Sequence, residues 1–355
     1  MARKSSPPRR CIDRRTVLKS AGVISSVGLV GSVSADDTVT ITTAKHGEAP
    51  LVYKEVPTEW RAKVLKSREL TDALHRKYSG QQWYAGIRRQ AGTERIDGHA
   101  ILEVVVLTSD RDSGPENVPS RSHGVPISVE EVTPSQELES GYCTTSGSTC
   151  VQGGSYVESD VDPFSAGILG ELDGRTGLFT CAHGFISNIC NDIQGESLWS
   201  GEDKDYRIGS IEKEHDYDWE NDWAFVTMDG SSDIDGFDNS IKGSRNDVRG
   251  HETRSGFEEM CSNNESLHQY GAATCSSSTT TYAEEYQSYC RWSDKWISHD
   301  LDTDQGDSGS PYWREYEEYD INSIVGFHQG DYGSLAWRID YNTDKEVKFG
   351  GSSTC

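Results

Sequence analysis

The second half of the chain reads as an all-β fold, and a small α+β module precedes it. Three observations predict this. From residue 151 onward, short apolar runs over 166–169, 177–181, 223–228, 324–327 and 334–339 alternate with Gly, Asp, Asn and Ser. No long stretch in that half carries a 3.6-residue apolar period. Residues 36–140, by contrast, hold no cysteine and show a helical pattern followed by a strand pattern. Many short strands with turn signals between them point to a barrel or a sandwich.

The N-terminus reads as an address. Arg14-Arg15-Thr16-Val17-Leu18-Lys19 leads into a weakly apolar run over 21–33, which ends in Val33-Ser34-Ala35. A cationic head, an apolar stretch and a small-residue cleavage site predict an export signal of the twin-arginine type over residues 1–35. No polar face recurs between Ala21 and Gly31, which argues against an amphipathic helix. The run also falls short of the roughly 20 residues of a membrane span. No other segment approaches that length of apolar sequence. The mature chain is therefore expected to be extracellular, with no membrane partner.

In the module, residues 57–78 are rich in helix formers, with Trp60 and Val64, then Leu70, Leu74 and Tyr78, at four-residue steps. Pro57 suits a helix opening. Residues 100–107 read as a buried strand bounded by Asp97-Gly98 and by 109–115, and 124–131 as a second strand. A Pro/Ser-rich linker is expected over 108–126. In an exported chain such a module is often a pro-region, so 36–140 is read as an intramolecular pro-region. A permanent accessory domain is the alternative. Residues 141–355 form the main domain.

The composition narrows the partners. The 355 residues carry a net charge of −24. Residues 1–140 hold 20 Lys+Arg and 18 Asp+Glu (+2), whereas 141–355 hold 14 and 40 (−26). Neutralising phosphates needs a basic face, so nucleic acid is excluded as a partner by charge. Apolar residues make up only 34%, but 16 Tyr and 9 Trp supply mass for a core. The acidic residues spread over the whole second half and read as a solvated surface suited to strong salt, where screening makes self-repulsion cheap. The composition resembles that of a haloarchaeal protein.

Of nine cysteines, Cys11 leaves with the signal. Eight remain, an even number, which in an exported chain reads as disulfides. No CxxC pair exists, so zinc is disfavoured. Cys181–Cys190 is expected as a local bridge. Residues 233–238 hint at a calcium loop, but the twelfth ligand position would be Lys242 and the first is a serine, so the spacing fails. No metal and no cofactor are expected.

Three segments carry chemistry. An apolar strand ends in Thr180-Cys181-Ala182-His183-Gly184; an aspartate opens the strand Asn221-Asp222-Trp223-Ala224-Phe225-Val226; a serine sits in the glycine turn Gln305-Gly306-Asp307-Ser308-Gly309-Ser310-Pro311. A serine hydroxyl is a poor nucleophile until an imidazole accepts its proton. The imidazole in turn needs a carboxylate to fix its tautomer and stabilise its cation. Glycines let the N–H groups of Gly306 and Ser308 converge on the oxyanion of a tetrahedral intermediate.

The order His183, Asp222, Ser308, in steps of 39 and 86 positions, differs from that of subtilisins and of α/β-hydrolases. The G-x-S-x-G elbow of the latter also fails, because position 310 is serine. Over residues 151–355 the chain resembles the chymotrypsin/trypsin-fold serine proteases: TCAHGF is similar to TAAHC, NDWAFV to the aspartate strand, and GDSGSP to GDSGGP. The resemblance implies two six-stranded antiparallel β-barrels with the triad between them. It also implies an endopeptidase acting on proteins or peptides through an acyl-enzyme; the alternative is a non-catalytic protease-fold binding protein, against which the intact triad argues.

Departures accompany it. Asp304 replaces the cysteine that precedes the Gln-Gly-Asp-Ser run, so the family's disulfides are not to be assumed. Asp307 stands where the family's aspartate receives an activating N-terminal amine. Val151-Gln152-Gly153-Gly154 resembles the mature start IVGG, yet Cys150 rather than a basic residue precedes it. An internal arginine serves bacterial relatives, with no candidate evident here. Two pocket signals conflict. Asp302 matches the pocket-base carboxylate of trypsins, which selects Arg or Lys. His328, within Gly326-Phe327-His328-Gln329-Gly330, resembles the pocket histidine of glutamyl endopeptidases, and Thr303 their assisting hydroxyl residue. His328 is the harder of the two to place by chance in so acidic a chain, which favours acidic substrates.

Overall fold

The computed structural model describes residues 37–109, 118–132, 142–143, 145–185, 192–213, 215–289, 292–330 and 332–355. The signal over 1–35, Cys11, Cys190, Cys290 and part of the 108–126 linker lie outside the described residues. The described chain belongs to one compact unit, residues 36–355.

The N-terminal segment opens with the hairpin Thr38–His46 and Ala49–Pro57. Pro57 then starts helix α1, Thr58–Tyr78, whose missing N–H costs nothing at a first turn. Helix α1 buries Trp60, Val64, Ser67, Thr71, Leu74 and Tyr78, a narrow stripe at three- and four-residue steps. The expected Leu70 sits at its margin. Ser67 and Thr71 can face inward because each hydroxyl donates back to a carbonyl of the preceding turn, at 2.8 Å. The helix covers the antiparallel strands Tyr84–Ile96 and His99–Thr108, joined at Asp97-Gly98, where both residues take a positive φ. Val125–Glu131 adds in parallel to His99–Thr108.

This segment shares a sheet with the rest of the chain. Thr38–His46 pairs antiparallel with Asp247–Glu252, and Tyr84–Ile96 pairs antiparallel with Tyr282–Tyr289. Sixteen strands are joined in all, in a sheet that also contains Leu267–Gly271, Pro311–Tyr316, Ile321–Gln329, Tyr332–Leu335 and Trp292–His299. A second sheet of nine strands curls through Ile168–Leu172, Arg175–Thr180, Trp223–Thr227, Tyr206–Ser210, Ser197–Ser200, Tyr156–Glu158 and Pro163–Ser165. Among the described residues the fold is thus all-β from residue 150 onward apart from two helices, and the α+β segment is carried on one of the two sheets.

Apolar burial explains how the sheets meet. Phe179 and Phe225 from the nine-stranded sheet pack at 4.8 Å between ring centroids, and Phe349 lies 4.8 Å from Phe179. Phe327 from the other sheet approaches Phe349 at 5.8 Å. All four are fully buried, and each contributes about 1.5–3 kcal/mol of transfer free energy. Gly170 and Gly177 make room: a Cβ at either would meet a Phe ring within 2.9 Å. A second core joins Ile41, Val56, Trp60 and Val64 of the N-terminal segment to Phe257, Met260, Ile297 and Trp337.

Two helices depart from the expected pattern. Helix α2, Arg254–Asn263, was not expected. Thr253 caps it, accepting from the Gly256 amide at 3.0 Å, and Asn264 ends it in the left-handed region. Its inward face holds Phe257, Met260 and Cys261 but also the buried Glu258 and Glu259, so in ten residues the apolar stripe is short and interrupted by charge. Helix α3, Ala336–Asn342, takes up the end of the run over 334–339, of which only the beginning continues Tyr332–Leu335.

Disulfides join Cys143 to Cys275 and Cys150 to Cys355. They close 132 and 205 residues, and cross-links over such lengths stabilise typically by about 2–4 kcal/mol. The expectation of a Cys181–Cys190 bridge is corrected: Cys181 is a free thiol, as is Cys261. The reason is placement. Cys181 is fully buried in the core of the nine-stranded sheet, with its sulfur facing the turn at Gly309.

Candidate active site

Strand Arg175–Thr180 runs antiparallel to Trp223–Thr227, with Thr180 opposite Ala224. That register brings the residues just beyond the two strand ends together. His183 opens a short 3-10 turn, His183–Phe185, and Asp222 precedes Trp223 with a positive φ of 45°. The Asp222 carboxylate is buried and accepts twice from the histidine: Nδ1 of His183 lies 2.6 Å from Oδ2, and its backbone N–H donates to Oδ1 at 2.9 Å. One residue therefore orients both the ring and the backbone of the other. Burial opposes a charge on the imidazole, but the Asp222 carboxylate, with the neighbouring Cys181 sulfur adding to it, outweighs burial and raises the His183 pKa well above 6.5.

Ser308 comes from the other sheet, in the turn before Pro311–Tyr316. His183 and Ser308 line one cleft of about 470 Å³, together with Tyr142, Asp162, Phe164 and Gly306. Gly306 and Gly309 hold φ of 108° and 82°. A Cβ at Gly306 would fall 2.4 Å from the Tyr142 ring, and one at Gly309 would fall 2.3 Å from Oγ1 of Thr180. Only glycine fits at both. Around the turn, the amides of Asp307, Gly309 and Ser310 donate to the carbonyls of Asp304, His328 and Asp307 at 2.9–3.0 Å. Those of Gly306 and Ser308 have no protein acceptor among the described residues.

Ser165 fastens this turn to the nine-stranded sheet, a role that no local motif announces. It is fully buried. Its amide donates to the Ser308 carbonyl and its hydroxyl to the Gly306 carbonyl, each at 2.8 Å, and the hydroxyl accepts from the Ala272 amide at 2.8 Å. Ser310, where the resembled family has glycine, is accommodated because its hydroxyl accepts from Nε2 of Gln269 at 2.8 Å.

Asp302 is exposed and Thr303 half-buried. His328 is buried, with Nδ1 2.6 Å from the Tyr312 hydroxyl, which itself lies 2.5 Å from Nε2 of His299. Burial, then the neighbouring imidazoles of His299 and His183, push the His328 pKa well below 6.5. Tyr312 and His299 went unrecognised because nothing local to either signals a partner so distant in the chain. Alternation along Pro311–Tyr316 could at most have placed Tyr312 inward.

No family model and no curated relative matches the chain. Among solved structures it is similar to Thermobifida fusca protease A, with 14% identity and a TM-score of 0.39 over 57% of this chain and 100% of that one. It is also similar to a glutamic acid-specific serine protease reported to use a novel histidine triad in substrate binding. That likeness has 17% identity and a TM-score of 0.39 over 56% of this chain and 100% of the other. Among the described residues, no helix is long and apolar enough to cross a membrane.

Proposed function

We propose that this protein is an exported serine endopeptidase of the chymotrypsin-like type that hydrolyses peptide bonds through an acyl-enzyme. Ser308 attacks the carbonyl carbon and His183 takes its proton. Asp222 holds the imidazole and stabilises its cation. The amides of Gly306 and Ser308 receive the oxyanion. His183 then returns the proton to the leaving amine, and water repeats the cycle on the ester. The observation that carries this reading is the Asp222–His183 pair, buried on its carboxylate side and open on its imidazole side to the cleft that Ser308 lines.

On this reading the substrates are proteins or peptides, residues 1–35 are the export signal, and the acidic surface suits strong salt. Residues 36–140 act as a pro-region, an intramolecular partner whose support is the shared sheet and core. His328 gives the pocket a preference for acidic side chains, its ring held by the Tyr312 hydroxyl, which His299 contacts in turn. Asp302 lends little to a trypsin-like preference, since its carboxylate is exposed. Profiling a peptide library in strong salt, with Ser308→Ala as control, tests both levels. Cleavage after Glu or Asp, absent from the control, is the expected result. Cleavage after Arg or Lys would move the pocket to Asp302, and no cleavage beyond the control would overturn the reading.

A further inference from the structure

Asp307 is fully buried beside the nucleophile, and a carboxylate there must be satisfied from within. It is. Oδ1 accepts from the amides of Ala273 and Thr274, at 2.9 and 3.0 Å. Oδ2 accepts from the Asp304 amide at 2.9 Å and from the Thr274 hydroxyl. No arginine, lysine or histidine pairs with it among the described residues. Gly271 admits the carboxylate, since a Cβ there would lie 2.1 Å from Oδ1.

The loop that supplies three of these four donors, all but the Asp304 amide, is itself fastened. The Ala272 amide donates to Ser165, and the Ala272 carbonyl accepts from the Cys143 amide at 2.7 Å. Cys143 is bridged to Cys275 at the loop's end. Meanwhile Val151, at the sequence that resembles a mature start, is buried inside the strand Cys150–Gly153. That strand pairs with Gly236–Ile241, and Cys150 is bridged to Cys355. A free amine at Val151 would require cutting within this strand.

We infer that Thr274 and the loop over 271–275 are the positioning element that sets the Gly306–Ser308 oxyanion turn, in place of a freed N-terminal amine. Four hydrogen bonds to charge, each stronger than a neutral one, hold Asp307 and with it the amides on either side. This rests on the peptidase reading of the same site. Its consequence is that the site is assembled while the Cys150–Val151 bond is intact, so any control by the N-terminal segment works by folding or by occupying the cleft.

The test uses the full secreted protein. Mass spectrometry of the active, fluorophosphonate-labelled species is expected to show the Cys150–Val151 bond uncut. Thr274→Val is expected to lower kcat on the order of 10²-fold, the scale of a misplaced catalytic group, with KM little changed. Affinity for a peptide boronate should fall in parallel, and Thr274→Ser should restore both. If Thr274→Val does not fold, the double variant Cys143→Ser/Cys275→Ser frees the loop from outside the turn and should lower kcat with the same signature. Wild-type kcat in either folded variant, or activity that appears only after scission at Cys150–Val151, overturns the inference and leaves the peptidase reading intact. A wild-type protein that neither labels nor cleaves sinks both.

Discussion

Replacing His183 or Ser308 by alanine is expected to lower kcat on the order of 10⁴-fold or more, with thermal unfolding little changed. Asp222→Asn should fall in the same range, because an amide in place of the carboxylate invites the wrong imidazole tautomer. The three effects should not add. Once one member is gone, the second substitution is expected to cost little more, since the groups act as a unit. The pH profile gives this a sign. His183 must be neutral to accept a proton, and Asp222 holds its pKa well above 6.5. Activity should therefore rise with pH through that raised value, and Asp222→Asn should move the rise to lower pH while cutting its height. Stability runs the other way. A raised folded pKa means that the contribution of His183 is fully present below the unfolded value of about 6.5. It is lost as pH climbs through the folded one. The inactive Ser308→Ala protein allows that dependence to be measured by denaturant unfolding without self-digestion, and His183→Ala should flatten it.

The second large effect concerns folding. Glu258 of helix α2 is buried, and so is Arg89 of the strand Tyr84–Ile96. Arg89 donates to Glu258 at 2.8 Å, Arg68 of helix α1 donates through Nε at 2.6 Å, and Arg89 also pairs with Glu284. Burial would raise the Glu258 pKa, but Arg68 and Arg89 outweigh it and hold it well below the usual carboxylate range. Removing one partner leaves an uncompensated buried charge, which costs about 3–5 kcal/mol. Arg89→Met and Glu258→Gln are each expected to lose about that much, measured by urea unfolding at neutral pH. The depressed pKa fixes the pH dependence. This stabilisation is present above the unfolded pKa near 4.3 and fades as pH falls through the folded value. The deficit of Glu258→Gln should therefore shrink in strong acid. It should survive in strong salt, since buried pairs are poorly screened. The chemistry also says why residues 36–140 matter to the rest of the chain. Of the cations around Glu258, Arg61, Arg68 and Arg89 all come from that segment, and Arg254 alone comes from helix α2 itself.

What could be read in the sequence follows from how local each signal is. His183, Asp222 and Ser308 each sit in a motif of a few residues whose glycines, small residues and flanking apolar strand have a chemical purpose. The antiparallel register of Arg175–Thr180 with Trp223–Thr227 then joins the first two. Helix α1 was visible because its stripe is largely apolar. Helix α2 was not, because its stripe of Phe257, Met260 and Cys261 is short and lies beside the buried Glu258 and Glu259, whose partners are far away in the chain. Ser165 and Thr274 were invisible for a related reason: each acts through pairings across more than thirty positions, with no unusual neighbour beside it. Cys181 misled because even cysteine counts say nothing about which sulfurs face a core.

The most direct measurement of the central claim is reaction of the folded protein with a fluorophosphonate, followed by peptide mapping. One adduct per chain is expected, on the Ser308 hydroxyl, abolished in Ser308→Ala and strongly slowed in His183→Ala. A folded protein that takes up no reagent at Ser308, or one that labels equally well without His183, would contradict it.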